Sequence, residues 1–416
     1  MTVRVHFHTD CPTFAGCENM LANLLNSARL RQEFAVSLSY RATDAYRIGL
    51  ARRTRMDFPV YPVQFAEPTT AVPAPRWLPS FLRHLIRFIS RACTTYPLLA
   101  YEVWKLRKLF ATLSPQIVHI NNGGYPAALS ARAAAIAARI VGVRHVVMVI
   151  NNMAEPSSGP ITVMRDLVDR RVVHAVTRFV TGSAAAGVQL RCTLRLRDDQ
   201  HIALPNGIEL RAISETRSQT LLRLGLSPDC GVLLAVVALM EPRKGHRVII
   251  DALARLQRDV PSLTGVTLVL EGDGPLRGEL EMMVRDAGLE QHCRFIGAEA
   301  NVMNLIAAID VLVVPSVSHE DFPNVVLEAM GFGKPVVASR LAGTPEQVDD
   351  EHTGLLVPPG DSATLAAALR RLVLNSALRE EMGRAGRRRF EERFTADAAV
   401  RRYAALYHSF TGTDDS

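Results

Sequence analysis

Lysine is nearly absent from this 416-residue chain: Lys105, Lys108, Lys244 and Lys334 stand against 44 arginines. Cysteine is confined to Cys11, Cys17, Cys93, Cys192, Cys230 and Cys293 with no C-x-x-C pair. That spacing gives no zinc site and no disulfide framework, so free thiols are expected. No apolar run reaches the ~18 residues that a bilayer-spanning helix needs, and the longest covers residues 231–240. The start of the chain lacks the charged-then-apolar order of a signal peptide and reads directly as a strand, which predicts a cytoplasmic location. Paired acids occur at Asp198-Asp199 and Asp349-Asp350-Glu351, without D-x-D spacing. They read as solvated turns, and no metal site is expected.

What is present is a globular composition, 48% hydrophobic and 21% charged. The length exceeds one ordinary core and predicts two domains. Net charge is +7, unevenly placed: residues 1–200 hold 25 Lys/Arg against 12 Asp/Glu (+13), residues 201–416 hold 23 against 29 (−6). A basic half beside an acidic half points to an anionic partner for the first half only, a membrane surface or nucleic acid. A general arginine bias would raise charge everywhere and does not account for the asymmetry.

The chain is organised around residues 314–361, VPSVSHEDFPNVVLEAMGFGKPVVASRLAGTPEQVDDEHTGLLVPPGD. A β-branched run enters it, and a helix is expected from about Pro323 to the Gly331 and Gly333 pair, feeding a second strand at Val336. Asp321 is placed to cap the opening turn. Glu320 in the loop and Glu328 one turn into the helix bracket the helix N-terminus, where open α/β sheets bind ligands and free N–H groups favour phosphate. The spacing Glu320-x7-Glu328, with EAM, GKPVVAS, a TPE segment and TGLLVPPGD in order, resembles the donor-binding signature of the retaining GT-B glycosyltransferases of family 4. The resemblance implies an α/β GT-B fold of two doubly wound, Rossmann-like domains facing a central cleft.

Other segments extend the likeness. Residues 3–8 form a strand, and Gly16 in AGCE lies where the family has a Gly-rich loop closing on the donor phosphates. One glycine of the usual pair is Ala15 here, and a plain strand-to-helix turn explains Gly16 nearly as well. Strands at 116–122 and 146–150 end in loops that line the acceptor side in the family. His119, Asn121, Asn151 and Asn152 are the candidates there, the two last standing where the family often has His. His119 reads equally well as a satisfied structural residue. LPNGIE near the midpoint resembles the interdomain PNG segment. EPRKG after the apolar run at 231–239 matches the motif whose cations meet the donor diphosphate, a role that fixed charge near a departing diphosphate can fill without a metal. EGDGP is a turn beside the cleft, and the loop after Phe295 contacts the nucleobase in the family.

Residues 76–110 hold seven Lys/Arg and one acid, with Leu78, Leu82, Leu85 and Ile89 on one face and Arg83, Arg87 and Arg91 on another. They read as a basic amphipathic helix for an anionic membrane surface, or as an ordinary helix packed on its domain. No nucleic-acid module accompanies it, so nucleic acid is not an expected partner.

The domains expected are 1–205, an acceptor-side domain, 206–394, a nucleotide-sugar domain, and 395–410, a terminal helix crossing back. The resemblance implies a metal-independent retaining hexosyltransferase with no cofactor. It would move a sugar from a nucleoside-diphosphate sugar to a saccharide or lipid-linked acceptor in bacterial surface polysaccharide or glycolipid synthesis, as a cytoplasmic protein peripheral to the inner face of the plasma membrane. Arg243 and Lys244 would hold the diphosphate, Glu328 the ribose hydroxyls and Glu320 the donor sugar. Asp321, Phe322, Pro323, Asn324 and Val325 would line the donor, with Asp321-Phe322 in place of the family's common Gly-Phe. A nucleotide-sugar epimerase of the same fold and a catalytically silent nucleotide-sugar-binding partner are the alternatives.

Overall fold

The computed structural model describes residues 2–14, 16–65, 79–126, 128–155, 162–228, 230–260, 265–299 and 301–412, with backbone alone at 17, 80–81, 84–93 and 162–164. The chain divides into two compact units: Met1–Leu204 with Val400–Ser416, and Pro205–Ala399.

The first unit holds seven parallel strands, β1 (Val3–Thr9), β2 (Phe34–Arg41), β3 (Val60–Val63), β4 (Ile117–Asn122), β5 (His145–Ile150), β6 (Arg178–Thr181) and β7 (His201–Ala203), in the order β3-β2-β1-β4-β5-β6-β7. Strand order therefore reverses between β1 and β4, whose register pairs Thr9 with Asn121. Strands buried on both faces need near-continuous apolar runs. One face meets the helix Leu129–Ile140, whose alanines Ala131, Ala134, Ala135 and Ala138 leave room for the 34-residue helix Ser80–Leu113 to pack close behind it. Leu99, Leu106 and Phe110 of that long helix enter the core, each stabilising by about 1.5–3 kcal/mol. The other face is covered partly by the helix Ala396–Thr411, where Tyr407 packs edge-on against Phe34 and Phe410 stacks on His145.

The expected membrane stripe falls largely outside the described residues: Arg76, Trp77 and Leu78 entirely, and the side chains of Leu85, Arg87, Ile89 and Arg91. In the part described, Tyr101 and Trp104 are exposed and stacked, with Lys108 3.6 Å over the Trp104 ring. Among the described residues no helix is long and apolar enough to cross a membrane.

The second unit repeats the plan with six parallel strands, β8 (Val232–Val237), β9 (Val266–Glu271), β10 (Cys293–Phe295), β11 (Val311–Val314), β12 (Val336–Ser339) and β13 (Gly354–Val357), ordered β10-β9-β8-β11-β12-β13. Its reversal lies between β8 and β11. Helices cover both faces: His246–Asp259 and Ser362–Leu374 pack on one, and Asn324–Gly331 with Val302–Ala308 on the other. In each unit the loops leaving the reversal point are where ligands bind in open α/β sheets.

Candidate functional site

In the second unit, the two loops leaving β8 and β11 interlock. Pro242–Lys244 form a single 3-10 turn, and Gly245 follows with φ +70°. A Cβ on Gly245 would come within 1.9 Å of the Pro315 carbonyl oxygen, so only glycine lets the turn seat against the end of β11. The Val317 amide then donates to the Arg243 carbonyl at 2.8 Å. This docking brings side chains from both loops together. Lys244 Nζ is paired with Glu320 Oε2, Ser316 Oγ donates to the same oxygen at 3.2 Å, and Arg243 Nη1 stands 3.7 Å from it. Arg243 also pairs with Glu241 at 2.9 Å and donates to the His319 carbonyl at 3.3 Å. Glu320 is 12% exposed, Lys244 16% and Arg243 31%, so the arginine is the most open of the three. His319, just before Glu320, has φ +50°, the tight bend that turns the loop back toward β8.

The helix Asn324–Gly331 begins at Pro323, its N-cap, with no side-chain cap bond. Asp321 is buried in the loop that leads into it, and its carbonyl accepts from the Gly343 amide at 3.0 Å. Gln347 Nε2 donates to the Pro323 carbonyl at 3.1 Å, so the TPE segment braces the turn from behind. Phe322 points into the core, 5.8 Å from Phe394, which leaves only its backbone for a ligand. Asn324, Val325 and Glu328 are half-buried along the opening turns. The N–H groups and dipole of a helix start attract anions.

Beside this group, the imidazole of His246 is buried, and burial, with Lys244 adding to it, lowers its pKa to about 4. It is a neutral core residue. Glu271 at the end of β9 accepts from the Glu299 amide at 2.9 Å, and burial raises its carboxyl. Arg223 clasps Glu299 at 2.8 and 3.0 Å, so the loop after β10 is held from two sides.

In the first unit the candidates separate. Gly16 opens the helix Gly16–Asn26, and a Cβ there would meet nothing within 4 Å. His119 is not available to a ligand: its ring is buried, Nδ1 bonds the Tyr407 hydroxyl at 2.7 Å, and Phe7 and Tyr403 pack on it. Burial lowers its pKa to about 3, so it stays neutral. On alternating strand faces, His119 points to the terminal helix. Asn121 is likewise consumed internally, donating to Glu18 and accepting from Asn151. Asn151 and Asn152 are half-exposed in the loop after β5. Glu18, which sequence reasoning passed over, is the buried centre of this group. An acid in the first turn of a helix is too common a feature to have marked it.

Two parallel sheets, each covered by helices and each with one reversal point, make this a GT-B fold. The chain superimposes on solved structures along its length: HepE from Anabaena in complex with UDP (TM-score 0.74, 21% identity, 98% of this chain and 100% of that one) and a glycosyltransferase from Rickettsia africae (TM-score 0.76, 13% identity, 100% of both). More particularly, residues 226–389 are a glycosyl transferases group 1 domain. D-inositol 3-phosphate glycosyltransferase of Saccharomonospora viridis is 31% identical over 287 residues, 66% of either chain. Lipopolysaccharide core biosynthesis glycosyltransferase LpsD of Rhizobium meliloti is 38% identical over 154 residues, 37% of this chain and 45% of that one. The matched stretch thus spans between under half and about two thirds of these relatives.

Proposed function

We propose that the protein is a retaining glycosyltransferase of family 4. It moves a hexose from a nucleoside-diphosphate sugar to an acceptor hydroxyl. The observation that carries this is the meeting of Arg243, Lys244 and Glu320 at the β8/β11 reversal, beside the start of the helix Asn324–Gly331. Without a nucleotide, the carboxylate holds the lysine. An incoming diphosphate competes for Lys244, and as the cation turns to phosphate, Glu320 is released to accept from donor sugar hydroxyls. When the glycosidic C–O bond breaks, negative charge grows on the leaving diphosphate. Arg243 and Lys244 stabilise it in place, without a metal. The carboxylate of Glu320 steadies the positive charge on the sugar, and Glu328 accepts from the ribose hydroxyls.

A relative named for lipopolysaccharide core biosynthesis, together with the basic first half, supports a surface glycan or glycolipid as acceptor. The exposed Tyr101, Trp104 and Lys108 group supports peripheral docking on an anionic membrane. A thermal-shift screen against UDP-, GDP-, ADP- and CMP-sugars tests the reading, because a ligand that binds the folded state raises its stability. A shift that persists in EDTA and disappears in Lys244→Ala is expected. No shift with any of the four overturns it, and an epimerised sugar in place of transfer indicates the epimerase.

A further inference from the structure

We propose that Glu18 is a positioning residue that fixes the hydrogen-bond polarity of Asn151, so that Asn151 offers a ligand only its carbonyl oxygen and selects a sugar or polyol hydroxyl acting as donor. The inference rests on the transferase reading and adds to it the chemistry of one contact.

Glu18 is fully buried, and its carboxylate accepts from Thr9 Oγ1 at 2.8 Å, from Asn121 Nδ2 at 2.8 Å and from the Tyr46 hydroxyl. These donors arrive from the ends of β1 and β4 and from the helix Asp44–Arg53. A carboxylate only accepts. Asn121 must therefore turn its Nδ2 toward Glu18, which leaves its Oδ1 facing the next loop. That oxygen accepts from Asn151 Nδ2 at 2.7 Å. The second N–H of the same amide donates to the Asn122 carbonyl at 2.9 Å. A backbone carbonyl also only accepts, so the Asn122 carbonyl and, through Asn121, Glu18 act jointly to hold Asn151 in this orientation.

Both hydrogens of the Asn151 amide are then spent. Its Oδ1 has no partner among the described residues and is not enclosed. Asn152, alongside, uses its Oδ1 on the Met153 amide at 2.8 Å. The loop after β5 consequently presents a fixed acceptor at Asn151. A hydroxyl that donates fits it; an ether, a fluoride or a missing hydroxyl leaves the oxygen unpaired. The hydroxyl can belong to the donor sugar or to the acceptor.

The full-length protein is titrated calorimetrically with UDP and UDP-glucose, GDP and GDP-mannose, and ADP and ADP-glucose. Variants are Asn151→Ala, Glu18→Gln and the double exchange Glu18→Gln with Asn121→Asp. The double exchange puts the carboxylate at 121, where it accepts from both neighbours and restores the orientation of Asn151. If the hydroxyl is the donor's, the affinity ratio of sugar nucleotide to free nucleotide falls roughly tenfold in Asn151→Ala and Glu18→Gln. Free nucleotide binding stays, and the double exchange recovers the ratio. If the hydroxyl is the acceptor's, the ratio holds, but KM for myo-inositol or methyl hexosides as acceptors rises by a similar factor with the same recovery. Should Glu18→Gln fail to fold, Asn151→Ala and the double exchange carry the test. A folded Asn151→Ala with ratio and KM unchanged, or a double exchange no better than Glu18→Gln alone, overturns the proposal while the transferase reading stands. A wild type that binds none of the three nucleotides and gives no shift with a CMP-sugar overturns both.

Discussion

At the β8/β11 reversal the loops carry charge, Arg243 and Lys244 against Glu320, within reach of solvent. At the β1/β4 reversal the loops carry amides arranged around an enclosed acid, Glu18, with the buried Asp10 paired to Arg41 beside the end of β1. Both units place these loops at the strand-order reversal of a parallel sheet, of seven strands in one and six in the other, so much of the contrast lies in side chains. Exposed charges attract an ionic ligand from solution. Amides with a fixed orientation discriminate among neutral hydroxyls once a ligand is near. A fold that repeats can divide capture and recognition between its copies.

The sharpest way to break that comparison is to remove the charge at Glu320. Glu320→Gln is expected to lower kcat by about 10²–10³, as loss of a group aimed at developing charge does. Nucleotide affinity in that variant should hold or rise, because Lys244 loses its competing partner; calorimetry that finds weaker nucleotide binding would sink the ion-pair exchange. Lys244→Ala has the opposite signature. Nucleotide binding is expected to weaken by roughly 2–3 kcal/mol, about a hundredfold, read from the dissociation constant.

Acid should separate the units next. Among the described residues, His6 and His119 are lowered to about 3 and His8 and His201 to about 4, each first by burial, in the first unit, and His246 to about 4 in the second. Between the native values and the ordinary 6.5, the unfolded chain binds protons that the native chain refuses. Stability therefore falls as pH drops from about 6.5 toward 4. Both tryptophans belong to the first unit. Urea unfolding at pH 7.5 and 5.5 should show tryptophan fluorescence losing more midpoint than far-ultraviolet dichroism, and equal losses would refute the assignment.

The smallest effect concerns Glu102, a buried acid on the long helix whose two oxygens have no partner among the described residues. Burial, with Asp10 adding to it, raises its pKa to about 7. The native state holds this proton more tightly than the unfolded one, so its stabilising effect is present at low pH and lost as pH rises through 7. Glu102→Gln should match wild-type stability near pH 6 and exceed it near pH 8.5, by denaturant midpoint. A variant less stable at both values would mean that the carboxylate is needed.

Much of this is legible in the sequence. The strands expected at 3–8, 116–122 and 231–239 became β1, β4 and β8, the last because a strand covered on both faces cannot hide its apolar composition. Gly331 and Gly333 ended the helix where they were expected to. The charged loop was readable because EPRKG and the 314–361 stretch carry their chemistry in local order. The amide hub was not, since Thr9, Glu18, Tyr46, Asn121 and Asn151 are joined only by strand order. His119 stayed open between two roles for a related reason: strand alternation, which turns its ring toward Tyr407, decides which way a histidine points.

Gly245 has a practical corollary. Because its missing side chain lets one turn nest against Pro315, residues 241–245 and 315–323 behave as a single manufactured part. Moving this loop pair to another scaffold would require transplanting both segments as one cassette, since exchanging either by itself would shift the lysine away from its carboxylate.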